Sequence, residues 1–156
     1  MLPKLLYPIF VENHELTRIG SIDDGGYVVP LKTILTSSFL ISFGINDNWD
    51  FEKDFVKKSK TSVWAYDYSI DGYFWYSKFK KDLIKFLSLK IFKPKKIYKM
   101  FQYIDFLIFF KFNKKNRFFL KKIGNQPGLL SLKEIINNSF DDKKNIFLKI
   151  DIEGYE

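Results

Sequence analysis

Two acidic residues, Asp151 and Glu153, follow the apolar run IFLKI near the end of the sequence. Because side chains alternate along a strand, residues two positions apart present their carboxylates on the same face. A carboxylate placed there can act as a general base, or it can supply oxygen ligands to a divalent cation. Both acids could instead be ordinary loop residues or cap a following helix. The sequence therefore predicts catalytic candidates at Asp151 and Glu153 and leaves their role open.

A second candidate site is GINDN, residues 44–48, which follows the apolar run FLISF. Gly44 can adopt backbone angles that other residues avoid, and it lets a ligand approach the main chain. Asp47 or Asn48 is suited to cap a helix over residues 49–58, whose first amides would favour a carboxylate or phosphate. Taken alone, Gly44 is equally well explained as a turn glycine. The candidate ligand contacts in this segment are Gly44, Ile45 and Asn46.

The third candidate is the end of VWAYDYS, where a short apolar run stops at Asp67 and Tyr68 follows. An acid at the tip of a second strand is placed to accept two hydrogen bonds from ribose hydroxyls, as in dinucleotide-binding folds. Asp67 could equally cap a helix. Asp67 and Tyr68 are therefore candidates for ligand contact on the strength of their position.

Alternating strands and helices would position these three clusters. Apolar runs predict strands at residues 39–43, 63–66, 117–123 and 145–152, and helical spacing predicts helices at residues 49–58 and 130–137. Before them, IDDGGYVVP predicts a Gly-Gly turn into a short strand that Pro30 closes. The pattern favours an α/β fold with a parallel sheet, whose strands all end on one edge. Ligands bind at that edge near the point where strand order reverses, and all three clusters are expected there.

A basic segment divides this pattern. The formal charge is +8, but residues 78–122 hold fifteen Lys and Arg against two acids and carry +13, so the remainder carries −5. Apolar residues at helical spacing predict a helical insert over residues 73–112, with Pro94 as a break between two helices. Such lysines are often a solvated helix face.

Composition excludes several classes of protein. Cysteine is absent, which removes disulfides, thiolate metal sites and cysteine nucleophiles and fits a reducing compartment. The first residues lack the features of a signal peptide, and the most apolar window, YIDFLIFFKF, is too short for a spanning helix. No G-x-G-x-x-G follows the first strand, which weighs against a Rossmann oxidoreductase. We expect a cytoplasmic location.

Four stretches together resemble the class I S-adenosylmethionine-dependent methyltransferases, and within them the FkbM-like group. They are RIGSIDDGGYVVP (residues 18–30), SFGINDNWDFEKDF (42–55), VWAYDYS (63–69) and IFLKIDIEGYE (146–156). The last is the most specific, because KIDIEGYE looks very much like the signature after the family's fourth strand. The basic stretch between the second and fourth strands matches no segment of the family.

The resemblance implies a Rossmann-like methyltransferase sheet with S-adenosylmethionine as cofactor. Gly44 and its neighbours would lie near the amino-acid part of the cofactor, and Asp67 would bind its ribose. The segment that contains Asp24 and Gly25 would fold over the cofactor. Asp151 would lie between methyl donor and acceptor, as base or as an orienting group for a sugar hydroxyl. The expected activity is O-methylation of a glycan, such as a polysaccharide or lipid-linked sugar, and it includes no metal. ISFGIND has one glycine where many class I enzymes have several. The resemblance therefore does not identify which backbone amides contact the cofactor.

The family's sheet has seven strands, and about four are predicted here, so we expect an incomplete sheet. Residues 1–156 would then be the N-terminal part of a single methyltransferase domain, a fragment. The alternative interpretation is a non-catalytic basic module. The basic aromatic insert would bind nucleic acid through phosphate contacts and stacking from Tyr73, Phe74, Trp75 and Tyr76, which we regard as the weaker option. Alternatively, residues 78–122 would lie on an anionic membrane at its inner face. The membrane contact is also compatible with an enzyme that modifies lipid-linked glycans.

Overall fold

The computed structural model describes residues 10–22, 25–87, 101–139 and 145–152. A short 3-10 helix, Asn13–Glu15, leads into an antiparallel hairpin of β1 (Leu16–Ile19) and β2 (Tyr27–Pro30). Helix α1 (Leu31–Thr36) follows directly, since Pro30 has a fixed φ and ends the strand without a ladder amide. The hairpin stands apart from the main sheet as a separate two-stranded sheet.

Four parallel strands form the main sheet. They are β3 (Phe39–Phe43), β4 (Ser62–Tyr66), β5 (Arg117–Phe119) and β6 (Ile146–Ile150), in the spatial order β5-β4-β3-β6. The chain runs outward from β3 to β5 and then returns to the other side of β3. Counted from β3, this is the order 3-2-1-4 with which an open Rossmann sheet begins. The predicted parallel α/β sheet is confirmed, and it is compatible with a Rossmann-like fold.

Helices cover both faces of this sheet. Besides α1, the described ranges contain the helices α2 (Asp50–Ser59), α3 (Gly72–Leu87), α4 (Gln102–Phe106), which continues as a π-helical turn (Leu107–Phe112), and α5 (Leu132–Ser139). One core cluster joins α1, α2 and α4 to residues such as Leu40 and Val63, whereas Ile135 of α5 packs with Phe39 and Ile41 on the other face. Strand β3 is buried along its whole length, as expected of a strand covered on both faces.

Several boundaries differ from those predicted, for local reasons. The sequence analysis missed β1 and α1, which are only 4 and 6 residues long and show too little periodicity. Strand β5 ends at Phe119 rather than residue 123, because the amide of Lys121 turns back to the carbonyl of Phe119. Helix α5 begins at residue 132 because Ser131 and Glu134 form a capping box, in which the backbone and side-chain hydrogen bonds from Ser131 lower the pKa of Glu134.

The basic insert is helical where it is described, as predicted. Its helices contribute Trp75, Phe106 and Phe110 to the core, where all three rings contact Trp49 of the β3–α2 loop (residues 44–49). The predicted break at Pro94 lies outside the described residues. The described helices of the insert therefore share a core with the sheet.

No helix within the described ranges is both long and apolar enough to cross a lipid bilayer.

Candidate functional site

A cleft of about 380 Å³ opens at the carboxyl edge of the main sheet, beside the point where strand order reverses between β3 and β6. This volume lies within the range of small-molecule sites. The lining comes from residues 44–48, 66–69, 121–123 and parts of 149–152, together with Gly25. The structure thus brings together the predicted residues Gly25, Gly44, Ile45, Asn46, Asp67, Tyr68 and Asp151. The remaining two, Asp24 and Glu153, lie outside the described residues.

Gly44 is required by the close approach of β3 and β6. Its φ is +74°, and a Cβ at this position would overlap the backbone carbonyl of Asp151. The amide of Gly44 donates to the carbonyl of Tyr66 at 3.0 Å, and the amide of Asp151 donates to that of Phe43 at 2.9 Å. A side chain here would therefore separate the strand ends that form the cleft floor.

Asp67 organises the loop between β3 and α2. Its side chain is buried, and Oδ2 accepts hydrogen bonds from the amides of Ile45 at 3.0 Å and Asn46 at 2.9 Å. The other oxygen, Oδ1, accepts from the amide and the hydroxyl of Ser69 at 2.8 and 2.6 Å. A carboxylate has about four acceptor positions, so those of Asp67 are filled. A ribose hydroxyl would reach Asp67 by replacing one of these donors, and the exposed Ser69 is the most accessible.

Backbone amides of the loop before α2, and that of the first residue of α2, are bonded within the protein. Those of Ile45 and Asn46 donate to Asp67. The helix cap predicted at Asp47 or Asn48 falls instead on Trp49, whose side chain makes no capping bond. Asn48 Oδ1 accepts from the amide of Asp50 at 3.1 Å, as in an Asx turn. The amides of Ile45, Asn46 and Asp50 therefore already have acceptors within the protein, and of the three only that of Asp50 belongs to α2.

Tyr27 of the hairpin reaches the predicted base. Its hydroxyl donates to Asp151 Oδ2 at 2.7 Å, and its ring packs edge-on against Phe51 of α2. The Asp151 side chain is 44% exposed, so its carboxylate is both oriented by Tyr27 and open to the cleft. The sequence analysis missed Tyr27, and no local signal links residues 124 positions apart.

A buried polar network lies beneath the cleft floor. Lys149 Nζ is 3.1 Å from Glu52 Oε1, which also accepts a hydrogen bond from Ser42 Oγ at 2.5 Å. The same ammonium donates to the carbonyl of Gly44 at 3.4 Å and lies 3.9 Å from Asp151 Oδ2. Ser42 and Lys149 are register partners on β3 and β6. Their signal in the sequence was a polar residue inside each apolar run, FLISF and IFLKI, which the sequence analysis did not use.

The opposite wall of the cleft is aromatic and basic. Tyr66 ends β4 and stacks on Phe119 with ring centroids 4.7 Å apart, and burial raises the pKa of its hydroxyl to about 12. Lys121 and Lys122 follow β5, and Lys122 Nζ lies 5.3 Å from the centroid of the exposed Tyr68 ring. The cleft lining therefore contains both carboxylates and ammonium groups.

The insert supports the loop that lines the cleft. Lys78 of α3 forms an ion pair with Asp47 at 2.8 Å, and Gln102 of α4 donates to the carbonyl of Asp47. Asp105, also on α4, accepts hydrogen bonds from Trp49 Nε1 at 2.9 Å and from Lys53. The two described helices of the insert, α3 and α4, are thus bonded to the segment that follows β3.

Within the described ranges, no group of three or more His, Asp or Glu side chains is arranged to hold a metal ion. Comparisons of this chain with protein-family models, with curated proteins and with solved structures found no match.

Proposed function

We propose that the cleft binds S-adenosylmethionine and that the chain is an O-methyltransferase acting on a hydroxyl of a glycan or sugar. The observation that carries the proposal is the convergence of three separately predicted clusters in one cleft at the reversal of strand order. Ligands of open α/β sheets bind at this place. The four stretches that resemble FkbM-like methyltransferases give the proposal its chemistry.

The residues present fit such a cofactor. The lining holds the three carboxylates of Asp47, Asp67 and Asp151 and the three ammonium groups of Lys121, Lys122 and Lys149, which suits a ligand that carries a carboxylate as well as an ammonium and a sulfonium. Gly44 lies in the lining and lets the ends of β3 and β6 approach each other closely beneath the cleft. The cofactor would occupy the cleft between Gly44 and Asp67.

Asp67 would then have two tasks. Its bonds to the amides of Ile45 and Asn46 hold the loop in shape, and we infer that they persist when the ligand binds. A ribose hydroxyl would replace the Ser69 hydroxyl on Oδ1, since Ser69 is exposed and its own backbone bond to Oδ1 can remain. This exchange provides one charge-assisted hydrogen bond to the ribose without unfolding the loop.

Asp151 is the residue placed to accept a proton. When bound, S-adenosylmethionine would supply an electrophilic methyl group for transfer to the acceptor oxygen. Tyr27 binds one carboxylate oxygen of Asp151, and the other carboxylate oxygen would take the proton of the acceptor hydroxyl. Tyr27 and Lys149 orient this carboxylate from the protein side. Glu153 keeps its predicted role as a second candidate.

Calorimetric titration with S-adenosylmethionine and S-adenosylhomocysteine tests the proposal. The 156-residue chain is expected to bind both, and Asp67→Ala is expected to abolish binding. The matched control is Ser69→Ala, which removes the competing hydroxyl and should keep or strengthen binding. Asp151→Asn should change S-adenosylhomocysteine affinity by less than about tenfold, because this residue serves the acceptor.

Circular dichroism on each variant separates loss of binding from loss of fold. Where Asp67→Ala does not fold, Asp67→Asn gives the same comparison with one acceptor oxygen retained. A folded wild-type chain that binds neither compound refutes the proposal. Weaker binding by Ser69→Ala would refute the exchange of Ser69 for ribose while leaving the cofactor assignment in place.

A further inference from the structure

Helix α3 is apolar on both sides. Phe74 and Trp75 turn inward and pack against the core. On the other side, Tyr73, Tyr76 and Phe79 are 76%, 64% and 59% exposed, and Leu83 and Ile84 are also exposed. These positions recur at helical spacing, so they form one stripe. A helix that needed only to cover the sheet would carry polar residues on its outer side.

Helix α4 and its π-helical turn repeat this arrangement. Phe106 and Phe110 are buried, whereas Phe101, Ile104, Ile108 and Phe112 point outward and are at least half exposed. The two helices are neighbours in the layer on one face of the sheet, because the ring of Trp75 on α3 lies 4.9 Å from that of Tyr103 and 5.2 Å from that of Phe106. We call the exposed side of this layer the outer surface, defined by Tyr73, Tyr76, Phe79, Ile84, Ile104 and Ile108.

The outer surface is also strongly basic at its borders. The exposed lysines of these helices and of the turn that follows them are Lys80, Lys81, Lys111, Lys114 and Lys115. Residues 78–122 contain only two acids, and one of them, Asp105, is turned inward against Trp49 and Lys53. The positive charge of the segment is therefore little compensated where the apolar side chains emerge.

We infer that the outer surface binds to the surface of an anionic lipid bilayer. The apolar side chains would enter the boundary between headgroups and acyl chains, and the lysines would contact lipid phosphates. Nucleic acid fits less well, because only half of the outer surface is aromatic: Tyr73, Tyr76 and Phe79 could stack on bases, but Ile84, Ile104 and Ile108 have no ring for this. The inference does not depend on what the cleft binds.

Co-sedimentation with phosphatidylcholine vesicles, with and without phosphatidylserine, tests this inference. We expect binding to the anionic vesicles only, and loss of most of it when salt rises from about 0.1 M to about 1 M, which shortens the Debye length from about 10 to about 3 Å. The variant Ile104→Glu/Ile108→Glu should weaken binding by more than about tenfold. Its matched control is Leu35→Glu on α1, which is equally exposed and lies outside the outer surface.

A second pair of variants tests the charge. Lys80→Gln/Lys81→Gln should weaken binding, by about fivefold for each lysine. The same change at the exposed Lys57 and Lys58 of α2 should have a smaller effect, although it removes equal charge. All four variants alter exposed side chains, and circular dichroism verifies that they fold.

Four results would overturn the inference. They are equal binding to neutral vesicles, no binding to anionic vesicles by the folded chain, equal losses in the outer-surface and control variants, and displacement of the chain from vesicles by single-stranded RNA. A second copy of the chain would be the partner instead if two results came together. The chain would self-associate without binding vesicles, and Ile104→Glu/Ile108→Glu would abolish that self-association.

Discussion

Replacement of Lys149 by Met is expected to destabilise the protein strongly, because it leaves the carboxylate of Glu52 buried without its counter-ion. Glu52 is fully buried and Lys149 is 6% exposed, and their charged atoms lie 3.1 Å apart. Within the described residues, Glu52 Oε2 has no hydrogen-bond partner, so little else compensates the charge. Removing one partner of a buried ion pair typically costs about 3–5 kcal/mol.

The double variant Lys149→Met/Glu52→Gln separates charge from packing. Met is apolar and similar in length to Lys, so it can fill the space beside the rings of Phe51 and Tyr27, which lie 5.4 and 5.7 Å from the ammonium. Gln keeps an acceptor for the Ser42 hydroxyl. Because neither new side chain is charged, the double variant should lose less than about 1.5 kcal/mol relative to wild type.

Urea unfolding followed by circular dichroism measures these differences. With an m-value of about 2 kcal/mol/M, the midpoint should fall by about 2 M in Lys149→Met and by less than about 1 M in the double variant. A single variant that loses less than about 1 kcal/mol, or a double variant as unstable as the single one, would contradict the reasoning. Either result would mean that the ammonium of Lys149 does not stabilise a buried charge on Glu52.

The remaining predictions concern the residues that line or support the cleft. Gly44→Ala should cost about 2–4 kcal/mol in urea unfolding, because φ is +74° and the added Cβ overlaps the carbonyl of Asp151; an unchanged midpoint would contradict this geometry. Asp67→Asn should lower the free energy of unfolding by about 1–3 kcal/mol, because an amide group that donates replaces one of the two oxygens that accept from backbone amides. Amide hydrogen exchange in the β3–α2 loop should become faster in the same variant. Tyr66 should make the stability of the protein depend on pH in the alkaline range. Its pKa is raised to about 12 in the fold, so its contribution to the free energy of unfolding is complete below pH 10 and is lost as pH rises through 12. Over that window wild type should lose about 2–3 kcal/mol more than Tyr66→Phe, and parallel losses in the two proteins would remove the basis for the raised pKa.

The local pattern predicted most of the main sheet. Runs of apolar residues between turn signals placed β3, β4 and β6 to within two residues at each end, because strands of a parallel sheet covered by helices are apolar along most of their length. The short elements β1 and α1 were not predicted, because segments of 4 and 6 residues show almost no hydrophobic periodicity. The start of α5 was displaced because the capping box of Ser131 and Glu134 was not used in placing it.

The site was predicted in its positions but not in its contacts. Asp67 and Gly44 do lie at strand ends beside the cleft, yet the hydrogen bonds that fill the Asp67 carboxylate come from its own loop and from the loop after β3. A sequence shows that an acid stands at a strand tip; it does not show which donors have already reached it. The amides of Ile45 and Asn46 are occupied by Asp67 for this reason.

The amino-acid sequence by itself determined which segments form the parallel sheet and that Gly44, Asp67 and Asp151 fall at its carboxyl edge, because both depend on short-range patterns of apolar and polar residues. Only the tertiary structure decided the pairs that shape the site. Tyr27 and Asp151 are 124 positions apart, and Glu52 and Lys149 are 97 apart. Such pairs form only when crossovers bring β6 beside β3 and lay the hairpin and α2 against both. The chemistry of the cleft therefore depends on contacts that no local pattern of residues encodes.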